Sequence, residues 1–181
     1  MQIVYSSFYF LLILLGANLI FEKKIIQLNY TTFIIVYGFF LSYIGYFLFP
    51  AIGPRFTIHN FEDINLELPG IWLTNFLREF VNSGESIPAG TLNPSAVVQR
   101  DAFPSGHTQM TLLTIYLALK YKIKTRYFLT IAGTLLIFAT VYLRYHYVVD
   151  LIGGLIFMIF TLWSGKKIYY YWDNVKLKHL N

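Results

Sequence analysis

The chain has 181 residues, of which 56% are hydrophobic and only 13% are charged, a composition far more apolar than that of a soluble domain. It contains no cysteine, which excludes disulfide bonds, thiolate metal sites and cysteine nucleophiles. Its net charge of +5 comes from lysines and arginines grouped in short segments between apolar runs, a pattern that indicates membrane topology rather than binding to nucleic acid.

Five apolar stretches come near the length of roughly 20 residues that a membrane-spanning helix needs. In chain order they cover residues 3–21, 30–49, 106–123, 127–143 and 148–163. The sequence therefore predicts an all-α fold, a polytopic membrane helix bundle of about five transmembrane helices that forms a single membrane domain over residues 1–181. The third stretch has polar residues such as Thr108 and Gln109 near its start, so we expect that end to face protein or water.

A long connection, residues 50–105, separates the second stretch from the third and is rich in proline, glycine, asparagine and acidic residues. Connections of this length are often functional. Apolar residues recur at helical spacing from Ile71 to Val81, which predicts a short helix that either lies in the membrane interface or only connects its neighbours.

Three clusters of lysine and arginine indicate the orientation of the bundle. They follow the first stretch, separate the third from the fourth, and follow the fifth, so all three lie on one side. The positive-inside rule assigns that side to the cytoplasm. We therefore expect an integral protein of the cell membrane (inner or plasma membrane), with the N-terminus and loop 50–105 extracytoplasmic. Residues 164–181, with lysines up to Lys178, should form a cytoplasmic tail along the inner interface.

The segment Pro104-Ser105-Gly106-His107 stands at the extracytoplasmic start of the third stretch. Proline is disfavoured inside helices and serine is a favoured N-cap, so the segment predicts a helix N-terminus. The free backbone N–H groups there attract anions such as phosphate, and Gly106 would let an anion approach closely. On its own the segment is more typical of an ordinary capped membrane helix.

His146 and Asp150 are four residues apart, so on a helix they would share a face, and the carboxylate could accept a hydrogen bond from the imidazole. Such a bond fixes the tautomer and raises the basicity of the other nitrogen, as a histidine nucleophile requires. The alternative is a structural pair at a helix start, but an ionisable pair beside hydrocarbon is costly, which favours function.

Arg55 and Arg144 fall near the same predicted membrane depth as both histidines. Their planar guanidinium groups suit phosphate oxygens, although an isolated arginine more often extends to lipid headgroups. The coincidence with both histidines favours phosphate binding.

These motifs together resemble the type 2 phosphatidate phosphatase (lipid phosphate phosphatase) superfamily, whose members share a lysine/arginine–proline motif, a Pro-Ser-Gly-His motif and an arginine–histidine–aspartate motif. Residues 104–107 match the second motif in full. His146 and Asp150, followed by the glycine pair Gly153-Gly154, match the third, so the resemblance covers residues 49–154.

The chain departs from the usual family pattern in its basic residues. Leu48 stands where the first motif usually has lysine, Phe56 where it has proline, and Ala139-Thr140 where the third motif has serine and arginine. These changes resemble the branch that includes inositol phosphorylceramide synthases, in which an arginine lies at the position of Arg144. The family core usually has six spans, and this chain has five, lacking the first. Either this branch has lost that helix or the start codon is misplaced.

The resemblance implies a metal-independent membrane enzyme, a lipid phosphatase that hydrolyses a phosphate ester or diphosphate of a lipid through a phosphohistidine. His146 would attack phosphorus, Asp150 would orient its ring, and His107 would protonate the leaving alkoxide. The phosphoryl oxygens would be held by Arg55, Arg144, Ser105 and Gly106. We expect no cofactor and a lipid phosphate as the partner, and the sequence makes no prediction of oligomeric state.

Other functions remain open from the sequence. A phosphotransferase of the inositol phosphorylceramide synthase type would move a phospho-headgroup to an alcohol. A non-catalytic lipid-binding or transport protein would keep the pocket for headgroup recognition, but binding needs positive charge and no nucleophile with an orienting carboxylate. A structural membrane subunit would leave the motifs unexplained.

Overall fold

The computed structural model describes the backbone of residues 1–179 and the side chains of residues 1–172, and in that part every regular element is a helix. The predicted all-α class is therefore confirmed. The helices are α1 Gln2–Ser6, α2 Phe8–Phe21, α3 Ile25–Leu48, α4 Ile64–Glu67, α5 Thr74–Gly84, α6 Pro94–Val97, α7 Gly106–Lys120, α8 Arg126–Tyr142 and α9 Val148–His179, with a 3-10 turn at Pro54–Phe56.

The helix bounds differ from the predicted stretches at several places, and α3 begins at Ile25, five residues before the predicted stretch 30–49. The first stretch is divided at Ser7, whose hydroxyl donates to the Val4 carbonyl at 2.7 Å, so α1 is a separate short helix. The helix predicted over residues 71–81 begins three residues later, at Thr74. The fifth stretch continues as α9 through most of the predicted tail, so the tail is helical to residue 179, and the side chains of Lys176 and Lys178 lie outside the described residues.

Two helices of the described part, α3 and the segment Val148–Trp172 of α9, are long and apolar enough to cross a membrane. The helices α2 and α8 are apolar but shorter. Many large apolar side chains, such as Phe21 and Phe47, point away from the bundle, where lipid would cover them. These features support a membrane protein.

The core forms around α7, which packs against α2, α3, α8 and α9. Met110, Leu113 and Leu117 of α7 are fully buried. Gln109 is also fully buried and joins three helices, because its side chain accepts from Ser42 of α3 at 2.7 Å and donates to Thr161 of α9 at 3.1 Å. The polar start of the third stretch therefore faces protein, as predicted.

The loop between α3 and α7 closes over one end of the bundle. Its two ends meet where the Ala102 N–H donates to the Ala51 carbonyl at 3.1 Å, and α5 packs against α1. The ends of α3, α7 and α9 thus meet beneath this loop, and the predicted motifs lie at those ends.

Candidate active site

The start of α7 is a capped helix N-terminus. Ser105 is fully buried, and its Oγ accepts the Thr108 N–H at 3.2 Å, which confirms the predicted N-cap. The Ser105 N–H donates to the Asp150 carbonyl at 3.0 Å, so this N-terminus is tied to the first turn of α9. A Cβ at Gly106 would collide with the Tyr46 hydroxyl, so the absence of a side chain here lets α3 approach the N-terminus.

His146 is held in one orientation by two acceptors on its Nδ1 side. Nδ1 lies 2.9 Å from the Ala102 carbonyl and 3.5 Å from Oδ2 of Asp150. A carbonyl oxygen only accepts, so Nδ1 carries a proton, and in the neutral ring Nε2 keeps its lone pair. The tautomer is therefore set chiefly by Ala102, a backbone contact that the sequence did not indicate.

Asp150 acts on this segment in a second way. Its Oδ2 accepts the Tyr147 N–H at 2.7 Å, just before α9 begins at Val148. The spacing of the two residues predicted that His146 and Asp150 share a helical face. Instead, His146 precedes the helix. The carboxylate still lies close enough to the imidazole to stabilise a positive charge on it.

The two histidines face each other, with ring centroids 5.7 Å apart. The His107 ring is also enclosed by the N-terminal helices. Tyr5 of α1 stacks on it at 4.7 Å between centroids, and Phe8 of α2 packs on it at 4.6 Å. Tyr5 in turn stacks on Tyr145 at 4.3 Å, so α1 forms one wall of the site.

A cavity of about 530 Å³ is lined by both histidines and by Arg55. It is lined further by residues such as Tyr5, Phe8, Tyr43, Tyr46, Glu85 and Asp101. Tyr9 of α2 and Tyr43 of α3 line the cavity and are also exposed on the bundle surface, so the cavity reaches the surface between these helices. An aromatic wall of this kind suits an apolar substrate chain, and the polar end suits a charged group.

Arg55 is buried in the cavity wall, with 3% of its surface exposed. Its guanidinium donates to the Glu85 carboxylate and, at 2.8 Å, to the Asn82 side chain. Its face stacks on the Tyr145 ring, 4.4 Å from the ring centroid. The structure therefore places Arg55 in the wall of the same cavity as both histidines.

Arg144 is not brought into the cavity. It lies in the left-handed region with φ of 65°, and its guanidinium donates to Glu67 in the outer loop. Only its backbone contacts the site, because its carbonyl accepts the Arg55 N–H at 3.1 Å. This placement disagrees with the phosphate-binding position predicted from the sequence, and its physical cause is the competing carboxylate of Glu67.

Tyr5, Glu85 and Asp101 are among the cavity residues that were not predicted. Tyr5 has no sequence signal, because nothing in a short apolar stretch shows that it stacks on His107. Burial raises the pKa of both the Glu85 and the Asp101 carboxyl above its usual range. Asp101 adjoins the Pro-Ser-Gly-His segment, so its position was visible in the sequence, whereas Glu85 reaches the site only because the outer loop folds back.

Comparisons with known proteins agree with these motifs. A family model described as the PAP2 superfamily matches residues 1–164. A PA-phosphatase related-family protein of Dictyostelium discoideum is 36% identical over 121 residues, which are 65% of this chain and 20% of that protein. The chain thus spans about a fifth of the length of this relative, and no solved structure matches it. Because the family match covers most of the sequence, this chain belongs to the PAP2 superfamily.

Proposed function

We propose that this chain is a membrane lipid phosphatase that hydrolyses a phosphate ester or diphosphate of a lipid through a phosphohistidine at His146. Membership of the PAP2 superfamily supports a phosphatase-type enzyme acting on a lipid. The observation that carries the finer proposal is the 2.9 Å contact from His146 Nδ1 to the Ala102 carbonyl, because it leaves Nε2 free as a nucleophile opposite His107.

In the first step, Nε2 of His146 attacks phosphorus and the bond from phosphorus to the leaving oxygen breaks. Protonated His107 gives its proton to the leaving alkoxide, which departs as an alcohol. The imidazole of His146 becomes positively charged, and the Asp150 carboxylate, 3.5 Å from Nδ1, stabilises that charge. Arg55 and the amide of Gly106 hold phosphoryl oxygens as negative charge builds on them.

In the second step, water attacks phosphorus and the bond to Nε2 breaks. His107, now neutral, takes the proton of the water and returns to its starting state. The product is the phosphate, and His146 recovers its lone pair. These steps use no metal, which the experiment below checks directly.

The site belongs to the extracytoplasmic face in this proposal. It lies at the end of the bundle formed by the C-terminal end of α3 and the N-terminal ends of α7 and α9, opposite the basic clusters that the positive-inside rule assigns to the cytoplasm. Proteolysis of sealed vesicles tests this orientation, since cleavage of the tail from the non-cytoplasmic side alone would contradict it.

A phosphotransferase is the second candidate, and the size of the cavity favours it. The cavity of about 530 Å³ reaches the surface between α2 and α3 and has room for an alcohol acceptor beside the substrate phosphate. Product analysis with and without added alcohol separates the two activities, because transfer gives a new phosphate ester whose amount rises with the alcohol concentration.

The proposed function is tested by phosphate release from a panel of lipid mono- and diphosphates in detergent with EDTA present. The parent is compared with His146→Ala and with the matched control His59→Ala, which removes a histidine of the outer loop that lies 4.0 Å from Glu67 and does not line the cavity. We expect release from the parent and His59→Ala, none from His146→Ala, and a phosphohistidine detectable by mass spectrometry at alkaline pH. Full release from His146→Ala would refute the nucleophile, and loss of release with EDTA would refute metal independence.

A further inference from the structure

In the part of the chain that the structure describes, two carboxyl groups and a single guanidinium line the catalytic cavity. Among the described residues, Arg55 is the one lysine or arginine that lines it, whereas the carboxyl groups of Glu85 and Asp101 both line it. With His107 protonated, as the first step requires, His146 neutral and both carboxyl groups ionised, the formal charges of the cavity sum to zero. A phosphate group that enters therefore meets no net positive charge that would balance its own negative charge.

The nearby arginines do not change this balance. Arg144 donates to Glu67 in the outer loop, outside the cavity. Arg78 is buried beyond the Arg55 side of the cavity, where it donates to the Asn65 side chain at 2.6 Å and to the Leu68 carbonyl. Neither guanidinium lines the cavity that contains the histidines.

Glu85 occupies one of the hydrogen-bonding positions on Arg55 that a phosphoryl oxygen could use. One nitrogen of the Arg55 guanidinium donates a hydrogen bond to the Glu85 carboxylate, and the other donates one to the Asn82 side chain. The face of the guanidinium is covered by the Tyr145 ring. The side chain of Arg55 is only 4% exposed, so it has little room to turn toward a different acceptor. A phosphate that binds Arg55 must displace the Glu85 carboxylate or share the guanidinium with it.

We propose that Glu85 is a specificity-determining residue, whose carboxylate competes with the substrate for Arg55 and thereby selects against phosphate groups that carry two negative charges. This inference rests on the proposed function, since it concerns the same site. A phosphate with a second organic substituent carries a single negative charge and is repelled less by Glu85 and Asp101. A phosphodiester fits the same first step, in which its second substituent stays on phosphorus, so among lipid phosphate esters the site favours a phosphodiester over a phosphomonoester dianion.

The test compares the affinities of two small probes, inorganic phosphate and dimethyl phosphate, by calorimetry at pH 8, where inorganic phosphate is mostly a dianion. The proteins are the full chain in detergent, Glu85→Gln, and the matched control Glu79→Gln. Glu79 is exposed on α5, the helix that ends at Gly84 just before Glu85, and does not line the catalytic cavity. Glu85→Asp, which keeps the charge, serves as a second comparison.

We expect the parent and Glu79→Gln to bind dimethyl phosphate more tightly than inorganic phosphate. Glu85→Gln should bind inorganic phosphate tighter by about tenfold or more, because one unit of opposing charge is removed, and dimethyl phosphate tighter by only about threefold, because that probe carries half the charge. Glu85→Asp should keep the preference of the parent. If Glu85→Gln does not fold, Asp101→Asn takes its place, with a smaller shift in the same direction because Asp101 does not contact Arg55.

A parent that already prefers inorganic phosphate overturns the proposal, and so does a Glu85→Gln variant in which both affinities change equally or not at all. A purely structural role of Glu85 would weaken both probes together, which the ratio of the two affinities detects. Binding is measured without turnover, so a shift in this ratio stands even if lipid phosphate release fails, and the two proposals can fail separately.

Discussion

The contact between α9 and the start of α7 can be tested by replacing Gly154 with alanine. The new Cβ would lie 2.7 Å from the Ser105 carbonyl oxygen and 2.9 Å from Cβ of Thr108. A backbone oxygen cannot move aside as the end of a flexible side chain can, so either α7 or α9 must shift. Because the start of α7 carries His107, the shift reaches the candidate active site.

The expected magnitude follows from two opposing effects. Overpacking of this kind costs about 1–3 kcal/mol, whereas replacing glycine by alanine within a helix gains roughly 1 kcal/mol. The matched control is Gly16→Ala in α2, where the new Cβ meets no atom within 4 Å and only the gain applies. The gain is common to both variants, so Gly154→Ala should be less stable than Gly16→Ala by about 1–3 kcal/mol.

For a chain of this size, that difference corresponds to a melting temperature lower by about 2–12 °C. The assay is thermal unfolding in detergent followed by tryptophan fluorescence, together with phosphate release at a temperature where both variants are folded. We expect Gly154→Ala to lose both stability and activity relative to Gly16→Ala. Equal melting temperatures and equal rates in the two variants would refute the reasoning that this backbone contact positions the site.

The remaining predictions concern single side chains. Arg55→Ala should lower phosphate release by about 10²–10³-fold and Arg144→Ala by less than about tenfold, because only the first lines the cavity. Tyr5→Ala should lower the rate while Tyr5→Phe keeps it, because stacking on His107 needs the ring and not the hydroxyl. Asp101→Asn should raise the melting temperature at pH 8 but change it little near pH 4, because burial raises the pKa of this carboxyl above its unfolded value of about 3.9.

The sign of the Asp101 effect follows from linkage. A carboxyl whose pKa is raised in the folded state holds its proton more tightly there, so the parent loses stability as pH rises through the range above about 3.9. A melting temperature difference between Asp101→Asn and the parent that is the same at both pH values contradicts this account. For the arginines and for Tyr5, equal losses in Arg55→Ala and Arg144→Ala, or equal losses in Tyr5→Ala and Tyr5→Phe, contradict the geometry.

Local properties of the chain predicted the helices and the helix N-terminus at Ser105. Each apolar stretch became a helix because its residues satisfy their backbone hydrogen bonds internally. The N-cap at Ser105 was also predicted, since capping depends on residues within one turn of each other. The break at Ser7 was not predicted. It separates α1, whose Tyr5 stacks on His107 and Tyr145, and these contacts join residues that are distant in sequence.

The sequence by itself determined the all-helical class, the superfamily motifs and the two histidines, because these depend on composition, on periodicity and on short segments. Only the tertiary structure decided which arginine enters the cavity. Arg55 and Arg144 are equivalent as sequence signals, but Glu67 binds one outside the cavity and Glu85 binds the other within it. The physical reason is that a charged side chain goes to the partner that the folded loop brings near it, and the spacing of residues along the chain does not contain that distance.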